Sequence, residues 1–344
     1  MRILMLYAND LFDADLEEKS IAGTQTAFIE LSRAFEKLGN TVNVYTDALR
    51  VLATERRTWN QLSQVDTSID YDLMIVNVSP YLFENFKHIK TRKKILWIHN
   101  EAKYLLYWNR LKFLLKHRPV VVFSGKYHKS TLPFFIPTGG RKIIPYGISD
   151  KVFNMIPCTV EERNKRVYFT SNPLRSLRWL VDLWVKEIHS QIPEAELHIF
   201  SGWKTYGAWG VSVKNRMRTE IEYASKFPNY NIVIRDVLPK YELFEEMKKG
   251  RAMFYKGDRA ETFCLAVAEA QALGLPTVVC DLGSMKERVE DGVTGFIVKS
   301  EDAFAESAIR VLKDEKLHAW MSNNAISASK NLTWLSAANK FLSV

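Results

Sequence analysis

Asp72-Leu-Met-Ile-Val-Asn77, Lys94-Ile-Leu-Trp-Ile-His99 and Pro119-Val-Val-Val-Phe-Ser124 follow one another in the chain, and each apolar run closes on a polar residue. Short apolar runs with little alternation suit strands buried on both faces of a parallel sheet. Met1-Arg-Ile-Leu-Met-Leu-Tyr-Ala8 has the same character, and Thr41-Val-Asn-Val-Tyr-Thr46 reads as another strand. Between those two, Ala27, Phe28, Leu31, Ala34, Phe35 and Leu38 recur at helical spacing, and Gly39 stands where a C-terminal cap belongs. Strands alternating with helices imply a doubly wound α/β sheet, whose ligands bind beyond the carboxyl ends of the strands. His99 and Ser124 fall at such ends.

Outward from this core, Lys142-Ile-Ile-Pro-Tyr-Gly-Ile-Ser-Asp150 leads to a junction near residues 151–165, and the alternation then starts again. Val167-Tyr-Phe-Thr170, Glu196-Leu-His-Ile-Phe200, Asn231-Ile-Val-Ile-Arg235, Ala252-Met-Phe-Tyr255 and Pro276-Thr-Val-Val-Cys280 read as strands. Helices are expected over 239–249 and near 264–273, with a helical region after Ser300. The expected organisation is two Rossmann-like domains, 1–155 and 156–331, with a closing helix over about 332–344 packing back on the first.

The composition, 47% hydrophobic and 25% charged, is that of a globular chain of 344 residues, long enough for two domains. The N-terminal apolar run is too short to read as a signal peptide, and no apolar run is long enough to span a bilayer. Cys158, Cys264 and Cys280 lack metal or disulfide spacing, which suits reduced thiols in a cytoplasmic protein. Between Glu84 and Lys142 fourteen Lys/Arg face two acids, so this aromatic-rich stretch carries more positive charge than the whole chain's +9. It reads either as a surface for an anionic partner, such as a membrane or a phosphorylated glycan, or as a solvated basic face. The aromatics from Trp97 to Tyr107 suit a membrane interface, core packing or acceptor stacking equally. No nucleic-acid reader motif accompanies the charge.

Glu261-Thr-Phe-Cys-Leu-Ala-Val-Ala-Glu269 carries the chemistry. Leu265, Ala272 and Leu273 make a core-facing helical stripe, and Glu269 falls on it. A carboxylate there needs hydrogen-bond donors, which ribose hydroxyls or a structural Arg or backbone donor would supply. Glu261 belongs to the preceding loop, and the first helical turn between the two offers free N–H groups for an anion. Cys264 lies in that turn, where the helix N-terminus could lower its pKa or leave it a bystander thiol.

Glu261-x7-Glu269, followed by Ala270-x3-Gly274-x-Pro276 and Gly283-Ser-Met-Lys-Glu-Arg-Val-Glu-Asp-Gly292-Val-Thr-Gly295, resembles the donor site of family-4 retaining glycosyltransferases of the GT-B fold. Ala22-Gly23-Thr24, Trp97-Ile-His99, Pro145-x-Gly147-Ile-x-Asp150 and Trp334 resemble further family pieces in order. The resemblance implies two Rossmann-like domains facing a central cleft and a UDP- or GDP-linked sugar donor, with no cofactor or metal. Glu269 would hold the ribose, Glu261 the transferred sugar, and the backbone around Thr262, Phe263, Cys264 and Leu265 the phosphates. Gly23 would let the first loop approach the diphosphate. His99, with Glu101 beside it, would lie near the sugar and a glycan or lipid-linked acceptor. The family's usual picture is a front-face reaction in which the leaving phosphate helps deprotonate the acceptor.

The family's Arg and Lys after the first strand of the second domain are only partly matched. Ser171 or Asn172 stands at the first position, and Arg175 stands near the second, as in a subset of the family. Arg175 is the expected phosphate clamp, with Lys256 or Arg259 supplying a second charge. Asp13-x-Asp15 and Asp70-x-Asp72 match a metal motif only superficially. A catalytically silent partner subunit is the alternative the incomplete clamp leaves open; a sugar-nucleotide epimerase fits the motif less well.

Overall fold

The computed structural model describes residues 1–8, 12, 20–47, 52–156, 158–159 and 161–344. Among these, the residues of 1–15, 23–147 and 332–344 form one compact unit, and those of 20–22 and 148–331 form a second.

The first unit is built on an eight-stranded sheet of β1 (Arg2–Leu6), β2 (Thr41–Thr46), β3 (Leu52–Ala53), β4 (Arg57–Gln61), β5 (Tyr71–Asn77), β6 (Thr91–Trp97), β7 (Val120–Phe123) and β8 (Gly140–Ile143). Its order is β3-β4-β2-β1-β5-β6-β7-β8, parallel except for the β3–β4 edge. Ile3, Leu4, Met5, Met74, Ile75, Ile95 and Leu96 are fully buried, as their unbroken apolar runs require. Helix Gly23–Lys37 packs its buried Phe28, Leu31 and Phe35 face inward and ends at Gly39, whose φ of +80° supplies the left-handed cap.

Strand β4 is not evident from sequence pattern, because Arg57-Thr-Trp-Asn-Gln61 has one large apolar residue, the fully buried Trp59. Its Arg57 is buried too, bonded to Ser32 Oγ at 3.1 Å and ion-paired with Glu36 at 3.4 Å on the neighbouring helix, with its Nε left without an acceptor. Helix Trp334–Leu342, capped by the Thr333 hydroxyl, belongs to this unit. Its Phe341 meets Phe35 and Trp97 edge-on, while Trp334 stacks on Tyr146 at 6.0 Å. Gly147 makes this contact possible, since a Cβ there would lie 2.2 Å from the Trp334 nitrogen.

The second unit carries a six-stranded parallel sheet of β9 (Arg166–Phe169), β10 (Glu196–Phe200), β11 (Ile232–Arg235), β12 (Ala252–Tyr255), β13 (Thr277–Cys280) and β14 (Gly295–Val298), in the order β11-β10-β9-β12-β13-β14. The division from the first unit falls at 147/148 rather than 155/156, because helix Asp150–Phe153 packs on helix Leu265–Ala272. Strand order reverses between β9 and β12, so the loops leaving these neighbours lie side by side. Doubly wound sheets place their ligands at such a switch point. No helix among the described residues is long and apolar enough to cross a membrane.

Candidate functional site

The loop after β9 and the loop after β12 meet through Arg175 and Glu261. The first turns at Asn172, whose Oδ1 accepts the Leu174 N–H at 2.9 Å and whose carbonyl accepts the Arg175 N–H at 2.9 Å. Arg175 then donates from one terminal nitrogen to Glu261 Oε2 at 2.6 Å. Tyr255, the last residue of β12, donates its hydroxyl to the same oxygen at 2.9 Å. Burial pulls the Arg175 pKa down, but the charges of Glu261, Tyr255, Asp258 and Cys264 outweigh it, and the guanidinium is held above its ordinary value. Tyr206, in the turn after β10, is also within electrostatic range of Arg175, Glu261 and Cys264, and burial raises its pKa.

Gly283 fixes the height of the Glu261 loop. Its φ is +56°, and a Cβ there would meet the carbonyl oxygens of Asp258 and Glu261 at 2.5 and 2.6 Å. The Ser284 N–H donates to the Glu261 carbonyl at 2.9 Å, clamping the two loops backbone to backbone.

Beyond Glu261 the chain passes through buried Thr262 and Phe263 to Cys264, which adopts φ 62° and ψ 77° before helix Leu265–Ala272 begins. A left-handed non-glycine residue costs about 1 kcal/mol, and such strain concentrates at functional turns. The first-turn N–H groups of this helix have no intrahelical acceptor and carry the positive end of its dipole. The Cys264 thiol is not activated by that position. Burial first, then Glu261, raise its pKa well above the ordinary value, in keeping with the bystander thiol rather than an activated one.

Glu269, 4% exposed on the core-facing stripe, is satisfied by neither an Arg nor a backbone donor. Lys240, the first residue of helix Lys240–Met247, reaches both of its carboxylate oxygens at 2.8 and 2.7 Å. Burial raises the Glu269 pKa, and Lys240 partly offsets the rise.

Of the proposed second cations, Lys256 places its ammonium over the Trp179 ring at 4.5 Å, and Arg259 is exposed in the loop before Glu261. Sequence reasoning missed Tyr255, Tyr206 and Lys240. The first had a signal, a polar group closing an apolar strand; the others depend on contacts between distant segments.

In the first unit His99 is 6% exposed, with Nδ1 against the Tyr146 hydroxyl and Nε2 against Asn77 Oδ1 at 2.5 Å. Burial, then His128, pull its pKa to about 3, so the ring is neutral. Ser124 is buried and bonded to His128 Nδ1 at 2.9 Å. Glu101 lies near Lys103 at 3.6 Å and the Tyr127 hydroxyl at 3.4 Å. Gly23 opens a helix rather than lying in a loop before it. Trp97 is fully buried, so among the aromatics of that stretch it serves the core. Asp72 accepts the Arg2 N–H at 2.9 Å and pairs with Arg92 at 3.4 Å; Asp13-x-Asp15 lies outside the described residues.

Residues 229–328 match the family model described as glycosyl transferases group 1. The D-inositol 3-phosphate glycosyltransferase of Corynebacterium diphtheriae is 36% identical over 86 residues, which is 24% of this chain and 20% of the relative. The match thus spans about a fifth of that relative's length. Two solved structures superpose over nearly the whole chain. Sucrose-phosphate synthase from Thermosynechococcus elongatus has a TM-score of 0.75 at 14% identity, covering 99% of this chain and 97% of that one. Anabaena HepE in complex with UDP-glucose has a TM-score of 0.71 at 15% identity, covering 100% and 98%. The fold is therefore GT-B, as the motif order in the sequence implied.

Proposed function

We propose that this chain is a retaining glycosyltransferase that moves a sugar from a UDP- or GDP-linked donor to a hydroxyl of a glycan or lipid-linked acceptor, without a metal. The observation that carries this reading is the convergence of Arg175 and Tyr255 on one oxygen of Glu261, beside the Cys264–Leu265 turn. Both hydrogen bonds fall on Oε2, which leaves Oε1 to accept from the hydroxyls of the transferred sugar. Arg175 keeps its Nε and second terminal nitrogen for phosphate oxygens. With the dipole of helix Leu265–Ala272 it would stabilise charge as the diphosphate departs. Glu269, fixed by Lys240, has lone pairs remaining for ribose hydroxyls. The match of residues 229–328 to the group 1 model and the UDP-glucose held by the HepE structure support the donor class. His99, neutral and engaged at both ring nitrogens, fits a positioning role rather than that of a general base. In a front-face reaction the leaving phosphate takes the acceptor proton, and no protein base is required.

The acceptor reading extends to an anionic bilayer. Phe134 is 90% exposed, Trp108 70%, Phe135 69% and Tyr107 66%. Their segments are joined by the Ala102 N–H to Thr131 Oγ1 at 2.7 Å and by His128 Nε2 to the Asn100 carbonyl at 2.8 Å. Lys103, Lys112, Lys126 and Lys129 are exposed in the same segments. Exposed aromatics among lysines suit insertion at a lipid headgroup boundary.

Thermal melts with UDP, GDP and their sugars, followed by a donor-hydrolysis assay, test the function. Stabilisation by a nucleoside diphosphate and slow hydrolysis of its sugar are expected. A melt unmoved by every nucleotide would contradict the proposal. Arg175→Ala should weaken diphosphate binding more than nucleoside binding, and an equal loss of both would count against the clamp.

A further inference from the structure

Two arginines of the second unit are held by the fold in different ways. Arg163 donates to the carbonyls of Gly250 and Leu273, both at 2.9 Å, and so ties the chain together. Arg288, in the segment after β13, does not. Its guanidinium carbon lies 4.1 Å from the centroid of the Phe263 ring. Its side chain is only half-buried, and its Nε, like that of Arg163, is buried without an acceptor. A buried N–H without an acceptor is costly, and on a partly open cation a bound anion would supply what the protein lacks.

Phe263 locates that anion. It immediately precedes Cys264, the left-handed residue from which helix Leu265–Ala272 starts, with the positive end of its dipole there. Arg175 approaches this turn through Glu261. The Cys264 thiol, dominated by burial and Glu261, also feels the positive charges of both Arg175 and Arg288. Burial brings the Arg288 pKa down to about 10, against the pull of Glu287 and Cys264, in keeping with a cation short of counter-charge. Lys256, the other cation leaving a neighbouring strand end, is turned toward Trp179.

We propose that Arg288 is the second cation of the diphosphate site, flanking the Cys264–Leu265 turn together with Arg175 and held flat by the face of Phe263. This rests on the donor-site reading above and deepens it. It also explains how the site neutralises a diphosphate while Ser171 and Asn172 occupy the positions nearest a first basic residue.

The test is calorimetric titration of wild type, Arg288→Met and Arg288→Lys with UDP, GDP and the corresponding nucleosides, alongside thermal melts. For the diphosphate that wild type binds, Arg288→Met should raise Kd roughly ten- to a hundredfold while nucleoside affinity is kept. Its melting temperature should equal or exceed that of wild type, because methionine removes a buried uncompensated charge. Arg288→Lys, which keeps the charge over Phe263, should lose severalfold in diphosphate affinity alone. Unchanged diphosphate binding by Arg288→Met, with wild type binding normally, overturns this inference alone. Equal losses for nucleoside and diphosphate, with a lowered melt, mark Arg288 as structural and also overturn it. Failure of wild type to bind either diphosphate overturns the donor reading and the inference together.

Discussion

The ammonium of Lys240 bridges both carboxylate oxygens of Glu269, at 2.8 and 2.7 Å, on a glutamate side chain only 6% exposed. The pair joins helix Lys240–Met247 to helix Leu265–Ala272, so the Glu269 carboxylate is held by the fold before any ligand arrives. Lys240→Met strands that carboxylate and should cost roughly 3 kcal/mol in urea denaturation. The double variant Lys240→Met with Glu269→Gln should recover most of the loss. If the double variant is no more stable than Lys240→Met alone, the pairing does not account for the stability.

Substituting Gly283 should couple fold and function. Alanine there requires φ near +56° and a Cβ within 2.6 Å of two backbone oxygens, one belonging to Glu261. Gly283→Ala is expected to lose more than about 1 kcal/mol and to weaken donor binding, because relief of the clash moves the Glu261 loop. Donor affinity unchanged in a folded Gly283→Ala protein would contradict the tight packing of these loops.

Acid should destabilise the chain before its carboxylates titrate widely. Burial lowers His99 to about 3, and lowers His128 and His318 to about 4. Each folded pKa lies below the unfolded value near 6.5, so the unfolded chain binds more protons in between. These three therefore contribute stability that is complete above pH 6.5 and falls as pH drops toward 4, by about 1.4 kcal/mol per pH unit for each. Denaturation midpoints measured from pH 7.5 to 4.5 should decline over that window, and a flat profile would refute the neutral buried state of these rings.

For the bilayer contact, sedimentation with vesicles containing anionic lipid should bring down the wild-type chain at low salt. Trp108→Ser combined with Phe134→Ser should reduce the bound fraction severalfold without lowering the melt, since both side chains are exposed. Raising the salt should weaken what remains, as charge attraction is screened. Binding indifferent to both the aromatics and the salt would refute the surface assignment.

Much of this architecture is legible in the residue order. Strands β2, β10 and β12 match their apolar runs residue for residue, since burial on both faces leaves little room for polar interruption. Glu269 stands out as a charge on an apolar stripe, and Arg175 is visible as a cation of the β9 loop, where it meets Glu261. What sequence reading lacks are partners from distant segments. Lys240 sits 29 residues from Glu269, and Tyr255, though its hydroxyl closes an apolar strand, shows no partner until the β12 loop brings Glu261 back onto it. Strand β4 escapes for a related reason: its buried Arg57 is held by Ser32 and Glu36 of a neighbouring helix, which the strand's own pattern does not show. Arg288 is invisible in sequence because only the fold brings it over the Phe263 ring, 25 residues earlier in the chain.

The central claim is that the segment from Glu261 to Glu269, with Arg175, holds a nucleoside diphosphate sugar. Hydrogen–deuterium exchange with and without saturating UDP- or GDP-sugar tests it most directly. Slowed exchange is expected at the amides of 262–268 and 172–177, with strands β9 and β12 already protected in both states. Nucleotide-dependent protection elsewhere in the chain, with both segments unchanged, would contradict it.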